Sequence, residues 1–361
     1  MQAQKVQQIP VQKVPSTMNP KFEWENFDMS SRVDVSKICK FLGNHYVQNK
    51  EEDFREDYLR WALCPPGFKP DWHVGVVVAD HTRSLVGFIS AIPVTVSVRG
   101  EDIKMARVNF LCLHEKYRSK QIAPTLIKEI SRRVALDNVK VALHTSSVGT
   151  YYDPIATCKV WYRPLNPIKL IDAKFMTFSE YLKPSSALKL YSLPTSTVTP
   201  GLRRMEEKDA PAVTGLLKTY LGKFTIAASF DETEVKHWFI PRPDIVESYV
   251  VESNQNITDF ISFTIIPSSI KGGSNLKSSD SFYIASSSTE TPRGQLLKDA
   301  LIIAKKKDID VFGAVAVMDN TDALLSDLKF KEEEQVKCYY YLYNYRLNEE
   351  VKPSEIGLVM V

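Results

Sequence analysis

The strongest constraint on how this chain can fold is a change of period. Between residues 35 and 46, apolar Val35, Ile38, Leu42 and Tyr46 recur every three or four positions, the spacing of one helix face. A short helix is predicted over 57–63 and stops at Pro65, Pro66 and Gly67. The period then falls to two, and 73–79, 85–93, 94–99 and 105–113 read as strands with turn signals at 80–84 and near Gly100. A helix over 124–134 and a strand over 139–145 follow. Beyond a linker at 194–201 the same order returns. Helices are expected over 209–221 and 233–238, and strands over 248–252, 259–266 and 281–285. A helix over 295–306, a strand over 311–317, a helix over 322–328 and a strand over 338–346 complete it. Helices, a meander of strands, then strand–helix–strand, stated twice, predict a duplicated α+β (α/β) unit on a mixed sheet, although no sequence repeat marks the duplication.

The length of 361 residues suits two such units. We divide them at 21–194 and 195–361. Residues 1–20, rich in Gln, Lys and Pro and without an amphipathic period, are expected to be a disordered leader, with order beginning near Phe22 and Trp24. Forty-six basic residues against 43 acidic ones leave a net charge of +3, too little to draw the whole protein onto nucleic acid. Any anion site must be local. No apolar run approaches the length of a membrane span. The five cysteines, Cys39, Cys64, Cys112, Cys158 and Cys338, are scattered and odd in number, which suits buried free thiols in a reducing, cytoplasmic setting.

The stretch richest in possible chemistry is 108–124. Val108, Asn109, Phe110, Leu111, Cys112 and Leu113 end a strand. His114, Glu115, Lys116, Tyr117, Arg118, Ser119, Lys120 and Gln121 form a basic loop, and after Ile122 and Ala123 a helix is expected to open at Pro124. Unpaired N–H groups and the positive end of the helix dipole face such a loop, with cations from Arg118 and Lys120, as a bound pyrophosphate requires. A solvated basic turn accounts for the pattern equally well. Lys305, Lys306 and Lys307 suit a helix C-terminus, and Glu332, Glu333 and Glu334 a solvated loop. The six histidines show no metal-ligand spacing, and no nucleotide or serine-hydrolase motif occurs. The C-terminus, Ile356 to Val361, is apolar to its last residue. Burying it would carry a free α-carboxylate inward, which is costly unless that group is paired or has a task.

These residues resemble the glycylpeptide N-tetradecanoyltransferase, or N-myristoyltransferase, family. The similar blocks include Trp72-His73-Val74-Gly75, Leu85-Val86-Gly87-Phe88, all of 108–124, Leu165-Asn166-Pro167, His237-Trp238-Phe239, Tyr340-Tyr341-Leu342-Tyr343-Asn344 and Gly357-Leu358-Val359. The resemblance runs from about residue 22 to the end. It implies two pseudo-duplicated acetyltransferase-like (GNAT-type) halves around a continuous mixed sheet, the first binding acyl-CoA and the second the peptide. It implies transfer of a myristoyl group from myristoyl-CoA, a co-substrate, to the N-terminal glycine amine of client proteins by a monomeric, cytoplasmic protein without a metal. The amides of Phe110 and Leu111 match the family's oxyanion hole. Cys112, Leu113, Arg118, Ser119, Lys120, Gln121, Ile122, Ala123 and Pro124 match its coenzyme-binding stretch. The Val361 carboxylate matches its general base, with Asn109 and Thr145 holding the amine. An amine near pKa 8 and a carboxylate near about 3.5 are poorly matched in water, and burial narrows that gap.

The chain also departs from the family pattern. The family's opening K-F-W-x-T-Q-P-V segment has no counterpart in 1–20, and Gln121 stands where the family has Arg. Its acidic run is here Gln48, Asn49, Lys50 and Glu51, and the following segment is shortened to Phe54, Arg55 and Glu56. The family's T-A-G-V-V-L-P is replaced over 145–151. Tyr162 stands in place of a His and Gly313 in place of an Asn. Lys329 to Glu334 replaces a glycine-rich loop. Positions for the acyl-coenzyme are largely kept, whereas those of the peptide groove are altered. An active transferase with changed peptide preference is one expectation. A catalytically impaired paralogue that binds acyl-CoA without efficient transfer, and transfer to a lysine amine, are the alternatives.

Overall fold

The computed structural model describes residues 12–46, 52–118, 120–150, 152–176, 184–271, 274–288, 291–347 and 349–360. The first half runs β1 (Phe22–Asn26), α1 (Arg32–His45), β2 (Glu52–Asp53), α2 (Glu56–Leu63), β3 (His73–Val78), β4 (Leu85–Val98), β5 (Glu101–Leu113), α3 (Ile122–Leu136), β6 (Ala142–Ser146), β7 (Ala156–Pro164), α4 (Pro167–Asp172) and α5 (Pro184–Leu190). The second runs β8 (Leu202–Arg204), α6 (Ala210–Leu221), β9 (Ile226–Ala228), α7 (Glu232–Phe239), β10 (Val246–Ser253), β11 (Asn256–Lys271), β12 (Ser274–Ser286), α8 (Arg293–Lys306), β13 (Val311–Val315), α9 (Asp322–Asp327), β14 (Lys331–Tyr343) and β15 (Ile356–Gly357).

Local chemistry explains these elements. Ser31 caps α1 by accepting from the Asp34 N–H, and Val35, Ile38 and Leu42 bury its apolar face. Arg99 and Gly100, at φ 52° and 83°, form the two-residue turn between β4 and β5, whose twist requires left-handed residues. Ile122, Leu126, Ile130 and Val134 of α3 pack on Trp72, Val74, Val86 and Ile89 beneath it.

One sheet joins both halves in the order β1-β3-β4-β5-β6-β14-β7-β13-β12-β11-β10-β8. The path mirrors itself about its centre. From β1 inward the pairings are three antiparallel, then β5–β6 parallel, then β6–β14 antiparallel. From β8 inward they are three antiparallel, then β12–β13 parallel, then β13–β7 antiparallel. A helix crosses each parallel step, α3 in the first half and α8 in the second. The expected duplication is therefore present, and each half contributes its last strand to the other: β14 lies against β6, and β7 against β13. The pair β7–β14 closes the centre.

Several expectations are corrected. The strands expected over 85–93 and 94–99 are one strand, β4. Pro93 interrupts nothing because β3 ends opposite Ser90 and β9 begins opposite Val96, so its missing N–H falls between partners. The central strand β7 was not expected at all. The last strand begins at Lys331, not 338, although 333–336 fall in its register break. The segment placed in a disordered leader packs from its later part onward: Ser16 is buried, its N–H donates to Glu129 Oε2 (3.1 Å), and Trp24 Nε1 donates to its carbonyl (3.1 Å). Residues 1–11 lie outside the described ones. Among the described residues, no helix is long and apolar enough to cross a membrane.

Candidate active site

The alternation of β5 breaks where the sequence placed its candidate amides. Ser90 stands opposite Asn109 and Phe88 opposite Cys112, so Ile89 alone faces both Phe110 and Leu111. The extra residue makes a β-bulge, and Phe110 takes a left-handed φ of 54° there. A bulky residue in that region is strained, and such strain is retained where the surroundings over-determine it. They do so here: the Phe110 ring lies edge-on to Phe54 (6.1 Å) and near Tyr46 (5.6 Å). Across the ladder, Ser90 Oγ donates to the Asn109 carbonyl (3.0 Å). A bulge leaves its extra residue out of the ladder, so the regular pairing of β5 with β4 is interrupted at Phe110 and Leu111.

The basic loop follows as expected, with a different helix start. A single 3-10 turn at Glu115–Tyr117 leads to Arg118, and α3 begins at Ile122, two residues before Pro124. Gln121 precedes it at φ 59°. A left-handed residue before a helix N-terminus gathers successive N–H groups into an anion-binding concavity. Lys120 and Gln121 are exposed and Ile122 is buried. Arg118 is partly committed, because its Nη2 donates to the His45 carbonyl at the C-terminus of α1 (2.9 Å). Ser119 lies outside the described residues. Cys112 is buried, and burial pushes its thiol up to about 12, so it is no nucleophile. Leu113 packs over Gly87, where a Cβ would lie 2.9 Å from Leu113 Cδ2 and from Leu126 Cδ1.

Strand registers bring the remaining candidates to one face of the sheet. Arg107 pairs with Leu143 and Thr145 with Tyr340, while Tyr340 pairs with Ala156 and Cys338 with Cys158. Paired residues share a face and alternate residues repeat it, so Asn109, Arg107, Leu143, Thr145, Tyr340 and Cys158 lie together. A bulge at Phe282 and Tyr283, opposite Ser262 alone, turns Tyr283 onto the same face as Asp280.

The C-terminal tail lies against this face. Ile356 and Gly357 form β15 beside β9, and Leu358 is buried. Tyr340 Oη donates to the Leu358 carbonyl (2.8 Å), and the Val359 N–H donates to Tyr283 Oη (3.1 Å). Burial holds both phenols protonated, pushing Tyr283 up to about 12. Burial of the apolar tail is thus observed from Ile356 to Leu358, and Val359 and Met360 are half-buried. Val361 lies outside the described residues. Neither tyrosine was a candidate site residue: Tyr340 lies in a block that carries the resemblance, but a Tyr within an aromatic strand has no site motif of its own. The available signal was indirect: a buried irregular tail must satisfy its backbone with side chains.

Leu358, Val359 and Met360 also line a cavity of about 30 Å³ with Arg107, Leu143 and Trp238. Arg107 is buried, its Nε and Nη2 have no hydrogen-bond partner among the described residues, and its guanidinium stands 5.0 Å from the Trp238 ring centroid. Burial lowers its pKa to about 10, so it remains charged at neutral pH. Among the described residues, no group of His, Cys, Asp and Glu could hold a metal ion.

Comparisons with known proteins cover the whole arrangement. The model of the myristoyl-CoA:protein N-myristoyltransferase N-terminal domain matches residues 2–158, and that of its C-terminal domain matches 172–359. Glycylpeptide N-tetradecanoyltransferase 1 of Arabidopsis thaliana is 45% identical over 360 residues, spanning 97% of this chain and 82% of its own length. Glycylpeptide N-tetradecanoyltransferase 2 of Danio rerio is 41% identical over 358 residues, spanning 97% and 71%. The crystal structure of Saccharomyces cerevisiae N-myristoyltransferase with bound myristoyl-CoA superposes with a TM-score of 0.92 at 31% identity, covering 100% of this chain and 94% of that one. A GCN5-related N-acetyltransferase from Anabaena variabilis, at 13% identity and a TM-score of 0.51, covers 88% and 72% and shares the fold alone.

Proposed function

The chain belongs to the myristoyl-CoA:protein N-myristoyltransferase family, and from that membership we propose how its residues carry the family's reaction. It transfers the myristoyl group of myristoyl-CoA to the N-terminal glycine amine of acceptor proteins. The amine, freed of its proton, attacks the thioester carbonyl carbon; the C–N bond forms, the C–S bond breaks, and coenzyme A leaves as the thiol.

Phe110 and Leu111 donate their amides to the carbonyl oxygen as it becomes an oxyanion, and such donors act best when fixed beforehand. The bulge that sets them is the observation that most supports this role. Arg118, Ser119, Lys120 and the N-terminus of α3 from Gln121 to Pro124 hold the coenzyme phosphates, with Cys112 and Leu113 lining the approach. The Val361 carboxylate takes the proton from the glycine ammonium, and Asn109 and Thr145 orient the amine. Supporting this is the tail, which Tyr340 and Tyr283 tie to the face that carries Asn109 and Thr145. Residues 21–194 supply the acyl-CoA side and 195–361 the acceptor side. A monomeric, cytoplasmic protein completes the proposal.

The test removes the tail. Deletion of residues 357–361, or amidation of the terminus, should abolish turnover of glycine-starting peptides while acyl-CoA affinity stays near that of the intact protein. Undiminished turnover after deletion would sink the assignment of the base.

A further inference from the structure

The face that receives the tail carries a cation with no counter-charge among the described residues. Arg107 stands opposite Ile92 on β4 and Leu143 on β6, two residues before Asn109 and on the same face of the sheet. With Leu358, Val359 and Met360 it lines the cavity beside the tail. It is buried, and among the described residues it makes no ion pair and leaves Nε and Nη2 without an acceptor. Glu234 of α7 lines the same cavity, but its Oε2 accepts from the Asp231 N–H (3.0 Å), and burial pushes its carboxyl up. Behind burial, the charge of Arg107 also bears on Tyr58 of α2, His237 of α7 and Tyr283 of β12, two phenols and an imidazole rather than carboxylates. Tyr283 is the group that accepts from the Val359 N–H, so the field of the guanidinium reaches the anchor of the tail.

An unpaired buried cation is a costly arrangement, and sequences break local rules of this kind chiefly at functional sites. What the charge does there follows from electrostatics. A like charge nearby disfavours the protonated form of an amine, and burial leaves that charge little screened. Asn109 lies two residues, about 7 Å, along β5 from Arg107. At that separation and an effective dielectric constant of about 20, one unit charge shifts another group by roughly one to two pKa units. A carboxylate at the end of the tail feels the same charge and holds a proton less firmly, so the amine and the carboxylate together release a proton at lower pH.

We propose that Arg107 tunes the acceptor amine: its buried, unpaired charge disfavours the glycine ammonium and so presents the nitrogen as the free base at neutral pH. The proton passes from the ammonium to the tail carboxylate and on to solvent, and the nitrogen keeps the electron pair with which it attacks the thioester. This rests on the assignments of Asn109 to the amine and of the tail to its proton.

The experiment follows single-turnover transfer from bound myristoyl-CoA to a saturating glycine-starting peptide between pH 6 and 9. Wild type, Arg107→Met, Arg107→Gln and Arg107→Lys are compared, with acyl-CoA affinity as the check that each variant folds. The wild-type rate should rise with an apparent pKa of about 7 or below, against about 8 for a free α-amine. The two neutral variants should move that limb up by about one unit or more, a roughly ten-fold slower transfer at the acid end, and lysine, which keeps the charge, should leave it near wild type. The same limb in wild type and in both neutral variants would overturn the proposal. Calorimetry in two buffers of different ionisation enthalpy counts the protons released when the peptide binds beside a non-transferable thioether analogue of myristoyl-CoA. At pH 7 wild type should release about half a proton or more, and the neutral variants close to none. If that release depends on Arg107 while nothing is acylated, the tuning stands and the transfer assignment falls. If acylation proceeds and neither the limb nor the release depends on Arg107, transfer stands and the tuning falls.

Discussion

Arg107 is the residue whose surroundings agree least with its charge. Among the described residues, two of its nitrogens are buried without partners, and the Trp238 ring is the compensation present. A cation over an aromatic face recovers about 0.5–2 kcal/mol, less than the several kcal/mol that an unpaired buried ion costs. An unbranched apolar side chain of similar length fits the same aromatic and aliphatic walls. Arg107→Met should therefore stabilise the isolated protein by roughly 1–3 kcal/mol, read as a raised midpoint in urea denaturation. A lowered midpoint would mean that an anion closes on the guanidinium, and the chain's own terminal carboxylate, one residue beyond the Met360 that lines the same cavity, is the first candidate.

At the scale of elements, the start of α3 gives the most direct handle on the coenzyme. Gln121 is exposed, left-handed, and placed one residue before the helix, where a side chain can share a phosphate with the backbone N–H groups. Gln121→Arg should tighten coenzyme A binding about ten-fold, since a charge-assisted hydrogen bond contributes roughly 1.5–3 kcal/mol. The gain should shrink as salt is raised, and calorimetric titration at two ionic strengths reads both. The sequence made this loop visible because a strand, a cationic turn and a helix start are local patterns. The bulge at Phe110 was not visible, because Phe110, Leu111, Cys112 and Leu113 form a continuous apolar run in which a shift of phase leaves no mark. The strand β7 was missed for a related reason. Cys158 and Tyr162 face the candidate site while Arg163, on the other face, is buried and donates to the carbonyls of Leu328, Pro164 and Tyr191. Neither face then shows the polar-out pattern on which period-two arguments depend. Its exchange with β14 is a long-range pairing with no local signature.

At the scale of the whole molecule, two buried histidines tie stability to pH, and one of them, His237, sits where the two halves meet. Trp61 on α2 donates from Nε1 to the His237 carbonyl on α7 (3.1 Å), and His237 Nε2 lies 2.7 Å from the Trp61 carbonyl in return. His73, fully buried on β3, stacks on Phe68, and neither of its ring nitrogens makes a well-formed hydrogen bond. Burial lowers both histidines to about 4 from an ordinary value of 6.5. The sign of the linkage follows. Between pH 6.5 and 4 the unfolded chain takes up protons that the folded protein refuses, so stability is complete above 6.5 and declines as pH falls through that window. Each histidine accounts for roughly 3 kcal/mol across it. Urea midpoints measured at steps from pH 7.5 to 4.5 should therefore fall steeply below 6.5, and the slope against pH should correspond to about two protons. His73→Phe should flatten the profile by about half if the variant folds, and the remaining slope then reports His237. Midpoints that stay level down to pH 5 would show that these two histidines accept protons inside the folded protein, and that the Trp61–His237 join tolerates a charge.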